Sequence, residues 1–164
     1  MEKQLLSQLE FSRKRTITAL KATTEAQADV IPEGFNNSIR WNLGHILLAT
    51  ENMLFSFLNE KGSLPGNYTV LFNGGTSPSA WAETEIPPLP ELDTKLDEQL
   101  SRITEELAPR LSEKGPEPFQ LGPEFKMEKL EDVLLFAIWH EGLHQGTITA
   151  LKQAQGITDL WTKV

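Results

Sequence analysis

The chain has 164 residues, 39% of them apolar and 23% charged, the make-up of a globular domain and not of a disordered or fibrous one. It has no cysteine, which excludes thiol catalysis, cysteine-type zinc fingers, iron–sulfur clusters and disulfide scaffolding, and fits a reducing cytoplasm. Fifteen Lys and Arg against 23 Asp and Glu leave a net charge of −8, so no basic patch is available to displace phosphate counterions and no nucleic-acid partner is expected.

The opening MEKQLLSQLEFSRKR mixes charged with apolar residues and does not read as a signal peptide. The nearly uncharged stretch Val133 to His140 is far too short to span a bilayer, so no membrane association is expected. The length fits one domain over residues 1–164.

Four segments read as helices. The first runs from about Glu2 to Thr23, with Leu5, Leu9, Ile17 and Leu20 on one face, and dissolves at Pro32 and Gly34. The second starts with Ser38 as N-cap and continues to about Lys61, apolar on more than one face as an inner helix should be. Residues 62–90 then form a long connection rich in Pro, Gly and Asn. Its Tyr68, Leu71, Phe72 and Trp81 argue that it packs, as a lid, a subunit contact or a cover over the end of the bundle. Strand alternation is discernible only from Tyr68 to Phe72.

The third helix starts near Glu91 with the stripe Leu92, Leu96, Leu100, Ile103, Leu107 and Leu111, and Pro109 kinks or ends it. A turn-rich stretch, EKGPEPFQLGPEF, leads to a fourth helix from about Lys129 to Gln155, stopped at Gly156. With no repeats, the pattern predicts an all-α four-helix bundle with a long second connection.

The three histidines of the chain fall in two places. His140 and His144 are four apart in FAIWHEGLHQGTITALK, a spacing that stacks two side chains on one helix face. Val133, Ala137, His140, His144, Ile148 and Leu151 continue one apolar stripe, so the pair faces inward. His45 lines up in the same way with Trp41, Leu48 and Phe55. Burying three imidazoles without partners would cost about 1–3 kcal/mol each, and one shared cation removes that cost. Histidines that merely fill the core are the plainer alternative. Three neutral nitrogen ligands leave an open coordination position on a divalent ion, as in catalytic sites. Zinc and nickel both suit such a donor set, and Mn and Fe are further options.

His140-Glu141-Gly142-Leu143-His144 also matches the zinc-protease signature HExxH. Only twenty residues follow His144, with Asp159 as their one carboxylate and no histidine, so a protease is not expected. Glu141 points about 100° away from His140 around the helix; it is a candidate general base or a polar partner on the flank. Trp41, Asn42, Trp139 and Gln145 are candidates for lining the open side, with Asn42 and Gln145 able to orient an imidazole or a substrate by hydrogen bonds.

The lead Ser38-Ile39-Arg40-Trp41-Asn42-Leu43-Gly44-His45 and the His-Glu-x-x-His-x-Gly stretch from His140 to Gly146 resemble the DinB-like superfamily, which includes YfiT-like metal-dependent hydrolases. The resemblance covers the whole chain by helix order, and its most specific part is the His-x3-His-x-Gly stretch. It implies an up-up-down-down four-helix bundle with a crossover between helices two and three. It also implies a nickel or zinc ion on His45, His140 and His144, and a homodimer. Relatives with known activity include bacillithiol S-transferases and a mycothiol-dependent isomerase. The implied function is a metal-dependent transfer of a low-molecular-weight thiol, or hydrolysis, on a small molecule; a non-enzymatic metal- or ligand-binding bundle is the alternative. Thr147 stands where many relatives carry Gln, a departure that leaves the three histidines untouched.

Overall fold

The apolar stripes close on one another in the computed structural model, which describes residues 2–81 and 84–162. Four long helices carry it: α1 (Glu2–Lys21), α3 (Ile39–Leu54), α5 (Leu89–Arg102) and α6 (Leu130–Ala154). Two short ones, α2 (Glu25–Ala28) and α4 (Asn67–Phe72), lie in the connections. α6 packs on both α1 and α3, and α5 packs on the same two helices. No described helix is long and apolar enough to cross a membrane.

Local chemistry sets the ends of these helices. The Ser38 hydroxyl accepts the Trp41 N–H (3.2 Å) and starts α3. α5 carries Pro90 in its first turn, where a missing N–H costs nothing. Before Pro109 it relaxes into a π turn (Ile103–Leu107) and a 3₁₀ turn (Ala108–Arg110), since a proline offers no N–H to the helix interior. The buried Arg40 guanidinium takes Asp29 (2.7 Å), Glu25 (2.5 Å) and the Pro87 carbonyl (2.9 Å), while Glu25 accepts the Leu89 N–H (2.7 Å). One cation thus ties α2 to the starts of α3 and α5.

Three sequence expectations are corrected. α3 ends at Leu54 and not near Lys61, because a 3₁₀ turn (Ser56–Leu58) and a left-handed Asn59 (φ 59°) reverse the chain. Tyr68 to Phe72 is helical and not extended: Tyr68, Leu71 and Phe72 are buried, the three-and-four spacing of a helix face. α4 therefore lies as a cover on α3, held where the Phe72 ring meets Gly44; a Cβ at Gly44 would sit 2.5 Å from that ring.

Third, the fold is mostly helical but carries one small two-stranded sheet where only turns are expected. The turn-rich stretch before α6 is an antiparallel hairpin, β1 (Lys114–Leu121) and β2 (Phe125–Lys129). Pro116 and Pro118 lie where its register shifts, so they remove no needed ladder bond. Gly115 seats against Phe57, with which any Cβ would collide at 2.7 Å. Phe119 and Met127 pair across the hairpin and pack on the core below it.

The interior is two apolar clusters. One gathers Ile17, Leu20, Leu43, Ile46, Leu47, Phe72, Leu96, Ile148 and their neighbours. The other gathers Leu9, Met53, Leu54, Phe57, Ile103, Val133, Leu134 and Ala137. On each long helix a buried polar residue falls between its contributions to the two: Arg13 on α1, Glu51 on α3, Gln99 on α5 and Glu141 on α6. A polar layer therefore crosses the core.

Two outcomes follow. Gly44→Ala should drive α4 off α3 and cost about 1–3 kcal/mol by overpacking, measured by chemical denaturation together with faster proteolysis within residues 62–80; unchanged values on both would refute the contact. Glu51 is buried, and although burial pushes its carboxyl up, the Ser63 N–H and hydroxyl, Gln99 and Arg102 hold it below the usual carboxylate range. A depressed carboxyl contributes stability above its unfolded pKa of about 4.5 that is lost as pH falls through the lower folded value. Glu51→Gln should cost about 1–3 kcal/mol at pH 7 and flatten the acid limb below pH ~4.5; parallel stability–pH curves would count against this account.

Candidate metal centre

The inward register read from the sequence brings the three histidines together. His45 of α3 faces His140 and His144 of α6 at ring-centroid distances of 5.2 and 4.7 Å, and the α6 pair is 4.6 Å apart, a near-equilateral triangle. One nitrogen from each lies within 4.8 Å of the others, forming a group that could hold a metal ion. Tetrahedral bonds of about 2.0–2.1 Å set ligand nitrogens about 3.4 Å apart, inside the 4.8 Å bound that this group keeps.

Hydrogen bonds decide which nitrogens are free. His45 Nδ1 lies 2.7 Å from the Phe72 carbonyl, an acceptor only, so Nδ1 carries the proton and Nε2 keeps its lone pair. His144 Nδ1 lies 2.8 Å from Asn42 Oδ1. The Asn42 amide donates through Nδ2 to the Ser38 carbonyl (2.8 Å), which turns Oδ1 toward the imidazole and makes His144 Nδ1 the donor. Nδ1 of His140 is buried and has no partner in the described structure, a polar atom left for something the protein itself does not supply.

Electrostatics supports neutral rings. Burial lowers the His45 pKa, against which its bond to Phe72 works in the other direction. His140 is pushed down to about 4 by burial and by the nearby His45, with Glu141 opposing. His144 falls to about 3 through burial and its two histidine neighbours. All three are neutral at pH 7, the form a cation binds. The residues thus fit a divalent ion by donor type, protonation and spacing.

The remaining candidates fall into two groups. Trp41 is buried, stacks flat on His45 (4.6 Å, 8°) and donates through Nε1 to Thr76 (2.9 Å). Asn42 is 1% exposed and orients His144. Trp139 is 59% exposed, its ring against Phe136, which in turn lies 6.3 Å from His140.

Glu141 and Gln145 turn away from the cluster. The Glu141 carboxylate, 1% exposed, is held by Arg13 Nε (3.0 Å) and Nη2 (3.1 Å) and by the Thr16 hydroxyl (2.6 Å). That ion pair occupies both oxygens, which fits the polar partner on the flank better than the general base. Gln145 Nε2 donates to the Ser12 carbonyl (2.6 Å) and to Thr16 (2.8 Å), in place of a position on the open side.

Arg13, Thr16 and the Phe72 carbonyl were missed at the level of sequence. Arg13 had a signal: it sits four residues from both Leu9 and Ile17, inside the apolar stripe of α1. The Phe72 carbonyl had none, because a backbone acceptor has no residue identity.

The comparisons with known proteins agree with this geometry. The model of the DinB superfamily matches residues 8–148. The crystal structure of a conserved protein from Enterococcus faecalis aligns at a TM-score of 0.67 and 14% identity, over 94% of this chain and 96% of that one, a likeness of fold. Comparison with curated proteins gives no match. With a match over most of its length and the histidine cluster inside the matched region, this chain belongs to the DinB superfamily.

Proposed function

We propose that this protein is a metal-dependent enzyme in which His45, His140 and His144 hold a divalent ion, zinc or nickel, for the transfer of a low-molecular-weight thiol to a small electrophilic molecule. The observation that carries the reading is the meeting of three neutral imidazoles from two helices, one nitrogen of each within 4.8 Å of the others. An ion held there supplies a Lewis acid that favours thiolate over thiol near neutral pH.

Every other part of the reading concerns the chain itself. Phe72 and Asn42 accept the Nδ1 protons of His45 and His144 and so aim the opposite nitrogens at the common point. Trp41 covers the flat face of His45 and excludes water from that side. Trp139, exposed beside Phe136, is the side chain this reading assigns to substrate contact. Transfer is favoured over hydrolysis by the fate of Glu141: with its carboxylate tied to Arg13, the adjacent base that water activation would use is occupied. A thiol, with a pKa of about 8.5 against about 15.7 for water, needs far less help to ionise.

The reading takes the four long helices as an up-up-down-down bundle with residues 55–88 as its crossover, and the protein as a cytoplasmic homodimer. The exposed apolar residues Leu135 and Leu143 on α6 support self-association.

Protein purified without a histidine tag should carry about one equivalent of zinc or nickel per chain by elemental analysis. Less than about a tenth of an equivalent after metal loading would end the reading. His140→Ala and His144→Ala should each lose the ion while keeping the helical circular-dichroism signal; full occupancy in either variant would refute the ligand set. Loaded protein should accelerate alkylation of small thiols by a haloacetamide, and turnover of esters or amides without any thiol would favour hydrolysis instead.

A further inference from the structure

The residue after each α6 histidine is tied to α1. Glu141 follows His140 and takes Arg13 and Thr16; Gln145 follows His144 and takes Ser12 and Thr16. Successive helix positions differ by about 100°, so the inward histidines and these two tethered residues are adjacent edges of the same two turns. Any rotation of α6 about its axis moves both sets together. At a side-chain tip about 5–6 Å from the axis, a 20° rotation displaces an imidazole by about 2 Å, whereas metal ligation tolerates roughly 0.2 Å.

The tether continues to the other ligand-bearing helix. Arg13 Nη1 donates to the Leu96 carbonyl (2.9 Å) and to Gln99 Oε1 (3.1 Å) on α5. Gln99 Nε2 in turn donates to the Leu47 carbonyl (3.0 Å), two residues from His45, and to Glu51 (2.8 Å). A single run of buried hydrogen bonds therefore passes from His140's neighbour, through α1 and α5, to the α3 backbone beside His45. Stability alone does not call for it, since apolar residues of similar volume commonly replace a buried ion pair without loss.

The geometry points to Arg13 and Glu141 as positioning residues for the histidine cluster, whose ion pair sets the rotation of α6 so that His140 and His144 meet His45. This rests on the three-histidine reading above and adds to it a specific dependence of ion affinity on a contact outside the cluster.

The test is the paired variant Arg13→Met/Glu141→Leu, which removes both charges and leaves neither orphaned. Co2+ binding is followed by its visible absorption and by competition with a chelator, beside the melting temperature. The variant should melt within a few degrees of the parent yet bind Co2+ at least tenfold more weakly, with altered visible bands. Arg13→Lys, which keeps the charge without the two-pronged geometry, should recover part of the affinity. If the paired variant instead unfolds, Gln145→Leu, which releases the second tether alone, must still weaken Co2+ binding in a folded protein. Parent protein that binds Co2+ with variants of equal affinity and spectrum would overturn the positioning role while leaving the histidine reading intact. Parent protein that binds no Co2+ would overturn both.

Discussion

A guanidinium and a carboxylate, Arg13 and Glu141, are buried against each other between α1 and α6 at 0% and 1% exposure, and the interior is arranged around them. Taking two charges out of water costs several kcal/mol per ion, recovered only when geometry and supporting hydrogen bonds are good. Here Thr16, Gln99 and the Leu96 carbonyl complete the shell, and Gln99 donates onward to Glu51, which also accepts from Arg102 and Ser63. This layer splits the apolar core in two. Arg13 and Glu141 hold as a pair, because losing one partner alone costs about 3–5 kcal/mol. In exchange the layer has directionality that leucines lack.

The histidine cluster is built by a complementary economy. Its hydrogen bonds use up the Nδ1 protons of His45 and His144 on acceptors that come from different places, a backbone carbonyl at the end of α4 and an amide one turn before His45 on α3. The crossover is therefore part of the site: the absence of a side chain at Gly44 admits the Phe72 ring, and the Phe72 carbonyl then fixes the His45 tautomer. Burial keeps the rings uncharged. The net charge of −8 adds a favourable field for any cation that approaches.

The long helices were legible because the Leu and Ile spacing on α1, α5 and α6 follows the helical period over many turns. The cluster was legible for the same reason, since His45, His140 and His144 occupy places in apolar stripes. The hairpin was not: its prolines and glycines look like turn chemistry, and only Phe119 and Met127 carry its inward face. α4 is six residues long, too short for its period to outweigh the surrounding loop signals. Glu141 could be placed beside His140 by angle, but its partner lies 128 residues away in sequence and no local pattern joins them. Glu141 and Gln145, candidates for chemistry in the sequence, both make their hydrogen bonds to α1.

The three imidazoles are not equivalent. Two are clamped through Nδ1, whereas Nδ1 of His140 meets no acceptor in the described structure. The fold thereby commits His45 and His144 to Nε2 and leaves the tautomer of His140 open, so that ring could offer either nitrogen to a cation.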